Sequence, residues 1–301
     1  FQVPAQGLKA MPDKAHLSPF DQWIITRLAA AEKAVEDSLE QDRFSDAATA
    51  LYSFVWYEFC DWYIEFIKPV INGSNADEKK NTQLVLAHVL NRVMRLLHPF
   101  TPFITEELYQ KLPLKGSACI IDQYPNPRND REFLSFASDS AAFEVEILKE
   151  VISAIRNIRG ENRISPALKI NVRLSPSDDQ AQKVLLANRT ALTNLGRIEN
   201  LDITGEGSLS KCAVAPITVN NSRVQVVIPL EGLVDIDEEI KRIQKAIEKL
   251  TKDTASLSGR LSNENFVKNA AEDVVEADRK TLEQNKAQLS SLQAALTRLQ
   301  S

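Results

Sequence analysis

Apolar residues recur at three- and four-residue steps through most of the chain, and the step changes character twice. Ile24, Leu28, Ala31, Val35 and Leu39 put one apolar stripe on a helix over residues 20–40, started by Ser18-Pro19 or Asp21. Phe44, Ala48, Leu51, Val55, Phe59, Trp62 and Phe66 predict a second helix over 44–68 with these residues as its core stripe, closed by Pro69 and the NGSNAD turn. Leu84, Ala87, Asn91, Met94 and Leu97 mark a third, stopped by Pro99. Thr101-Pro102 restarts a short fourth, with Glu106 and Glu107 suited to the positive end of its dipole. Residues 1–112 therefore read as an antiparallel helical bundle.

Residues 113–135, with PLKGS and YPNPRND, read as loop. Ala142, Val145, Leu148, Ile152 and Ile155 predict a helix over 139–159. The period then falls to two. KINVRL alternates as a strand should, DQAQKVLLANRTALTNLG is helical, and NLDITG, CAVAPITV and SRVQVVIPL are strand-like, with Asn220-Asn221 as a hairpin turn. This is a small α/β module.

The second change is to a heptad. Ile236, Ile240, Ile243, Ile247, Leu250, Thr254, Leu257 and Leu261 alternate steps of four and three. After SNENFVKNAAED, so do Val275, Asp278, Leu282, Asn285, Leu289, Leu292, Leu296 and Leu299. Two such runs joined by a short loop fold back as an antiparallel hairpin ~40 Å long. The expected register sets Ile243 opposite Leu292 and Leu250 opposite Asn285. The fold class is thus mainly α: a helical bundle (1–135), a small α/β module (136–235) and a C-terminal antiparallel coiled-coil hairpin (236–301).

Composition narrows the chemistry. The 301 residues include 26% charged and 44% apolar positions, as in ordinary soluble domains, and no apolar run approaches a membrane span. FQVPAQGLKA does not read as a signal peptide. Cys60, Cys119 and Cys212 lack metal-ligand spacing and an even count, so a reduced, cytoplasmic protein without a metal is expected. There is no phosphate loop, no GxGxxG, no nucleophile elbow and no HExxH, so no catalytic residue is assigned. A net charge of −5 does not announce a nucleic-acid partner, although a local basic face can bind phosphates on an acidic protein.

Two features invite such a partner. LYSFVWYEFCDWYIEFIKP gathers eight aromatics, and Tyr52, Trp56 and Tyr63 form a row flanking the stripe, with Tyr57 at its other edge. Core packing is the plain reading of each ring; stacking on unpaired bases is the alternative. Arg92 and Arg95 share a helix face, and Arg156, Arg159 and Arg163 cluster in RNIRGENR. They are either ordinary surface charges and helix caps or contacts to RNA. On the hairpin, Lys252, Arg260, Lys268, Arg279 and Lys280 lie towards the tip. They are either salt-bridge partners or phosphate contacts.

FDQWIITRL, LYSFVWYEFCDWYIEFIKP and RLLHPFTPFITEELYQKLP together resemble the anticodon-binding helical domain of class I aminoacyl-tRNA synthetases of the valine–isoleucine–leucine–methionine group. FCDWYIE is nearest to the valyl-tRNA synthetases. RNIRGENRISPALKINVRL, IPLEGLVDIDEEIKRIQKAIEKL and LSNENFVKNAAEDVVEADR are similar to the C-terminal region of the same family. The arm is the specific part, because the isoleucyl enzymes would instead bring zinc-binding cysteines. Where this chain reads NAAEDVV, many relatives place a proline after the alanine, a tolerated loop change. The resemblance implies that the bundle meets the anticodon, through Trp56, Tyr57, Arg92 and Arg95. It implies that the arm meets the outer elbow of valine tRNA. It also implies an ATP- and Mg-dependent catalytic domain and an editing domain elsewhere in a monomeric protein, since the HIGH and KMSKS signatures do not occur here. The competing expectation is a structural coiled-coil interaction protein with no RNA partner.

Overall fold

The computed structural model describes residues 10–113, 115–128, 130–203, 207 and 209–300. It comprises two compact units, residues 1–149 and 150–301. The first is helical. Helix α1 (Pro19–Leu39) starts at a capping box: Asp21 N donates to Ser18 Oγ, and Ser18 N donates to the Asp21 carboxylate. The same carboxylate also accepts from Tyr63 OH (2.7 Å) and Thr82 Oγ1 (3.0 Å), so the cap doubles as a buried knot between three helices. Trp23, Ile24, Ile25, Leu28 and Val35 bury the apolar face.

The second helix departs from expectation in register. It runs as α2 (Phe44–Ser53), a π-helical segment (Phe54–Tyr63) and α3 (Ile64–Asn72). In the widened segment hydrogen bonds span five residues, as from Ile64 N to Phe59 O. The buried stripe therefore becomes Ala47, Leu51, Phe54, Phe59, Tyr63, Phe66 and Ile67. Phe44 and Ala48, placed in the core by a regular 3.6-residue period, are exposed, and Val55 and Trp62 are only half-buried. Tyr63, expected at the margin, is fully buried because its hydroxyl is needed at Asp21. The helix also passes through Pro69 and ends at Asn72. There Gly73 fits because a Cβ would lie 2.9 Å from the Pro69 carbonyl.

Helix α4 (Ala76–Leu97) is capped by Asn75, and Pro102 opens α5 (Pro102–Tyr109) as expected. Residues 113–135 hold a 3₁₀ turn (Cys119–Ile121) and a short helix α6 (Arg131–Leu134), not only loop. The α6 turn forms because Phe133 is buried fully against the rings of His88 and Phe136. Helix α7 (Asp139–Glu161) follows.

The second unit holds a four-stranded mixed sheet in the order β2-β1-β4-β3. Its strands are β1 (Ile170–Pro176), β2 (Ile198–Ile203), β3 (Cys212–Val219) and β4 (Ser222–Pro229). The end of NLDITG, Thr204-Gly205, lies outside the described residues. Strands β1 and β2 are parallel, joined through α8 (Asp179–Ala187) and α9 (Arg189–Gly196). Val219 pairs with Ser222 across the two-residue Asn220-Asn221 turn, where Asn220 takes φ +52°. Pro216 is tolerated because β3 is an edge strand.

The heptads form α10 (Ile236–Ser262) and α12 (Glu272–Gln300), packed on each other. Ile247, Leu250, Thr254, Leu257 and Leu261 are half-buried between exposed neighbours, as are Leu282, Asn285, Leu289, Leu292 and Leu296. Ile243 and Leu292 line one small cleft, and Arg260 meets Asp278 near the other end, so the helices run antiparallel. The expected loop between them contains a further short helix, α11 (Glu264–Asn269).

Candidate nucleic-acid interface

Tyr52, at the end of α2, and Trp56 and Tyr57, in the π-helical segment, lie off the buried stripe and keep 56%, 53% and 53% of their surface. Tyr52 and Trp56 lie parallel at 6.1 Å between centroids, and Tyr57 stands edge-on to Tyr52 at 6.0 Å. Three preordered rings make an apolar platform that loses little side-chain entropy when a flat ligand stacks on it. The cations nearby are already paired: Arg27 with Glu58 at 3.1 Å, Lys68 with Glu65, and Lys149 with Glu58 and Glu146. Stacking rather than phosphate attraction is what this face offers.

Arg92 does not join that face. It is buried on α4, where Nη2 donates to Asp130 Oδ1 at 2.8 Å, Nη1 donates to the His88 carbonyl, and the guanidinium lies 4.3 Å from the Phe133 ring centre. Its planar fork ties α4 to the loop before α6. A three-residue spacing on a helix puts two arginines on neighbouring faces but does not say which is interior. Arg95 is less enclosed: Nη1 donates to the Gln123 carbonyl at 2.7 Å, and its side chain lines a cleft of about 350 Å³ with His98, Asp122 and Tyr124.

In the second unit, Arg159 is buried and donates to the carbonyls of Ser165, Gly196 and Arg197, closing the C-terminal end of α9. Arg156 and Arg163 are exposed, the latter at φ +55° just beyond α7. On the arm, Lys252 pairs with Glu248 one turn away at 2.9 Å. Arg260 pairs with Asp278 and lies 5.3 Å from the Phe266 ring centre, so it builds the tip as well as charging it. Lys268, Arg279 and Lys280 are exposed. Exposed pairs such as Lys252–Glu248 contribute little to stability and exchange readily for a phosphate. Among the described residues, Val274 is the single large apolar side chain exposed on the arm, so the rod offers charge rather than a greasy docking strip.

Residues 21–174 match the family described as the anticodon-binding domain of tRNA ligase. The chain belongs to that family. Residues 235–300, the arm, match the family described as the valyl tRNA synthetase tRNA binding arm. The chain is 65% identical over 300 residues to a valine–tRNA ligase of Bdellovibrio bacteriovorus, covering 100% of this chain and 34% of that protein. It is 38% identical over 290 residues to that of Geobacter sulfurreducens, covering 96% and 32%. It is 36% identical over 259 residues to that of Enterococcus faecalis, covering 86% and 28%. The chain thus spans about a third of the length of the curated relatives it matches, and the resemblance read from FCDWYIE and the arm is borne out. Among the described residues, no three His, Cys, Asp or Glu side chains are placed to hold a metal, and no helix is long and apolar enough to cross a membrane.

The exposed apolar residues of α5 and the 3₁₀ turn were missed in the sequence. Phe103 and Ile120 keep 92% and 72% of their surface. HPFTPFI carried the available signal: more apolar residues than one helix face can bury.

Proposed function

We propose that this chain is the tRNA-holding part of a valine–tRNA ligase. The bundle, residues 1–135, stacks unpaired anticodon bases on Trp56, Tyr57 and Tyr52, and Arg95 is the remaining polar candidate. The α/β module, residues 136–235, offers Arg156 and Arg163 to the backbone, and the arm, residues 236–301, binds phosphates through Lys252, Lys268, Arg279 and Lys280. Arg92 and Arg159 hold the protein together instead, and Arg260 serves the tip. ATP and Mg²⁺ belong to a catalytic part of the longer polypeptide, which acts as a cytoplasmic monomer. No chemical step is placed on this chain. The observation that carries the reading is a heptad hairpin whose outer face is charged and almost free of apolar residues. The same observation disfavours a purely structural coiled coil that recruits protein.

Two anchoring sites on one polypeptide raise the effective concentration of the distant acceptor end at a catalytic site. The chain is expected to bind valine tRNA in filter binding with a salt-dependent affinity and to charge nothing. Arg279→Glu with Lys280→Glu should reduce the slope of log K against log salt by about 2, roughly one for each lost phosphate contact. An unchanged slope would take the arm out of the interface. Trp56→Ala should instead weaken binding by ~1–3 kcal/mol with the slope intact, as loss of one stacked base requires. Equal affinity for an anticodon-loop hairpin before and after that substitution would remove the aromatic platform.

A further inference from the structure

Helix α5 and the 3₁₀ turn Cys119–Ile121 pack side by side, tied by Cys119 N donating to Glu106 Oε2 at 2.9 Å and Gln110 Nε2 donating to the Ser117 carbonyl at 3.0 Å. They hold out Phe103 (92% exposed), Ile104, Leu108, Ile120 (72%) and Ile121, beside a cleft that Ile120 shares with Pro102 and Pro99. Water faces an apolar surface fixed on ordered backbone, where folding of this unit gains nothing from exposing it. Beside it, Glu107 pairs with Lys111 at 2.7 Å and Lys115 Nζ donates to the Gln110 carbonyl. The surface itself is apolar, so a complementary apolar protein surface gains more from covering it than a polyanion does.

We propose that this surface is an intramolecular docking face for the catalytic body of the longer polypeptide, buried there against a complementary apolar surface. The proposal rests on the reading of this chain as part of a valine–tRNA ligase. The occupant follows from the relatives, in which about two thirds of the polypeptide lies outside the region matched here. Docking would fix the tRNA-holding part against the catalytic part, and the apolar character makes the contact insensitive to salt, unlike the arm.

The test is hydroxyl-radical footprinting read by mass spectrometry on this chain and on the longer polypeptide that carries it, with Phe44, exposed on α2, as internal reference. Oxidation of Phe103 relative to Phe44 is expected to fall at least fivefold in the longer polypeptide, and to be unmoved in this chain by valine tRNA or by a tenfold change in protein concentration. Equal oxidation in both polypeptides overturns the docking face. Protection by tRNA in this chain makes the surface an RNA contact, and protection that grows with concentration makes it a contact between copies; both overturn the proposal. Phe103→Glu should leave the melting midpoint of this chain in place and lower that of the longer polypeptide by several degrees; an unshifted midpoint there counts against docking. Aminoacylation by the longer polypeptide is followed in parallel. Charging without protection sinks the docking face alone, whereas absence of charging sinks the functional reading and the docking face with it.

Discussion

Arg92→Met is expected to cost the first unit about 3–5 kcal/mol, read by urea unfolding, while leaving tRNA affinity of the folded fraction unchanged. The guanidinium is 4% exposed, and its partner Asp130 is itself largely enclosed. Methionine replaces the stem but leaves the Asp130 carboxylate without its 2.8 Å donor, and an uncompensated buried charge costs more than the pair contributes. The His88 carbonyl loses a donor too, and Phe133 loses the cation over its ring. Asp130→Asn in the same chain should recover part of the loss, because it removes the stranded charge; the coupling in that double-mutant cycle measures the pair. Arg92→Lys should recover little, since a point charge cannot bond Asp130 and the His88 carbonyl while lying flat on Phe133. Normal stability with lost tRNA binding would return Arg92 to the interface and contradict its burial.

That a candidate RNA contact is a strut shows where sequence reading stops. The arm was legible because its period of 3.5 persists through α10 and α12, and Ile243, Leu250, Leu289 and Leu292 each fall on the seam that the pattern draws. The strands were legible because burial alternates along β1 and the turn after β3 has the residues that tolerate φ above zero. The aromatic helix was not. A run of π-helical turns leaves each local residue choice helical and shifts only the angular bookkeeping, so Phe44 and Ala48 changed places with Ala47 and Phe54. Arg92 was illegible for a different reason. Its ion-pair partner lies 38 residues away in a stretch that reads as loop, and no helical pattern predicts that such a loop returns. Arg159 is similar, since the carbonyls it closes belong to a helix almost forty residues later. Long-range polar partners, not apolar periodicity, decided which of these arginines are buried.

The same buried cluster should give the first unit an unusual pH dependence. Glu32 lies on α1 with its side chain wholly enclosed, 3.9 Å from Arg92 Nε, close enough for an ion pair. Neither carboxyl oxygen accepts a hydrogen bond, however, and burial followed by the charge of Asp130 raises its pKa from 4.5 to about 8, against the opposing pull of Arg92 and Arg95. Arg92 is thus shared unequally, serving Asp130 as its ion pair while Glu32 keeps its proton at neutral pH. An acid whose pKa is higher folded than unfolded binds more protons in the folded state between the two values. Its contribution is complete below about pH 4.5 and is lost as pH rises through about 8. The full span is on the order of 4–5 kcal/mol at 1.36 kcal/mol per pKa unit. Glu32→Gln keeps the shape and removes the titration. The variant should therefore gain on the parent steadily from pH 5 to pH 8, by up to roughly 1.4 kcal/mol per pH unit, when the two are unfolded in parallel in urea. Parallel stability curves across that range would mean that Glu32 is ionised in the fold and paired with Arg92 after all.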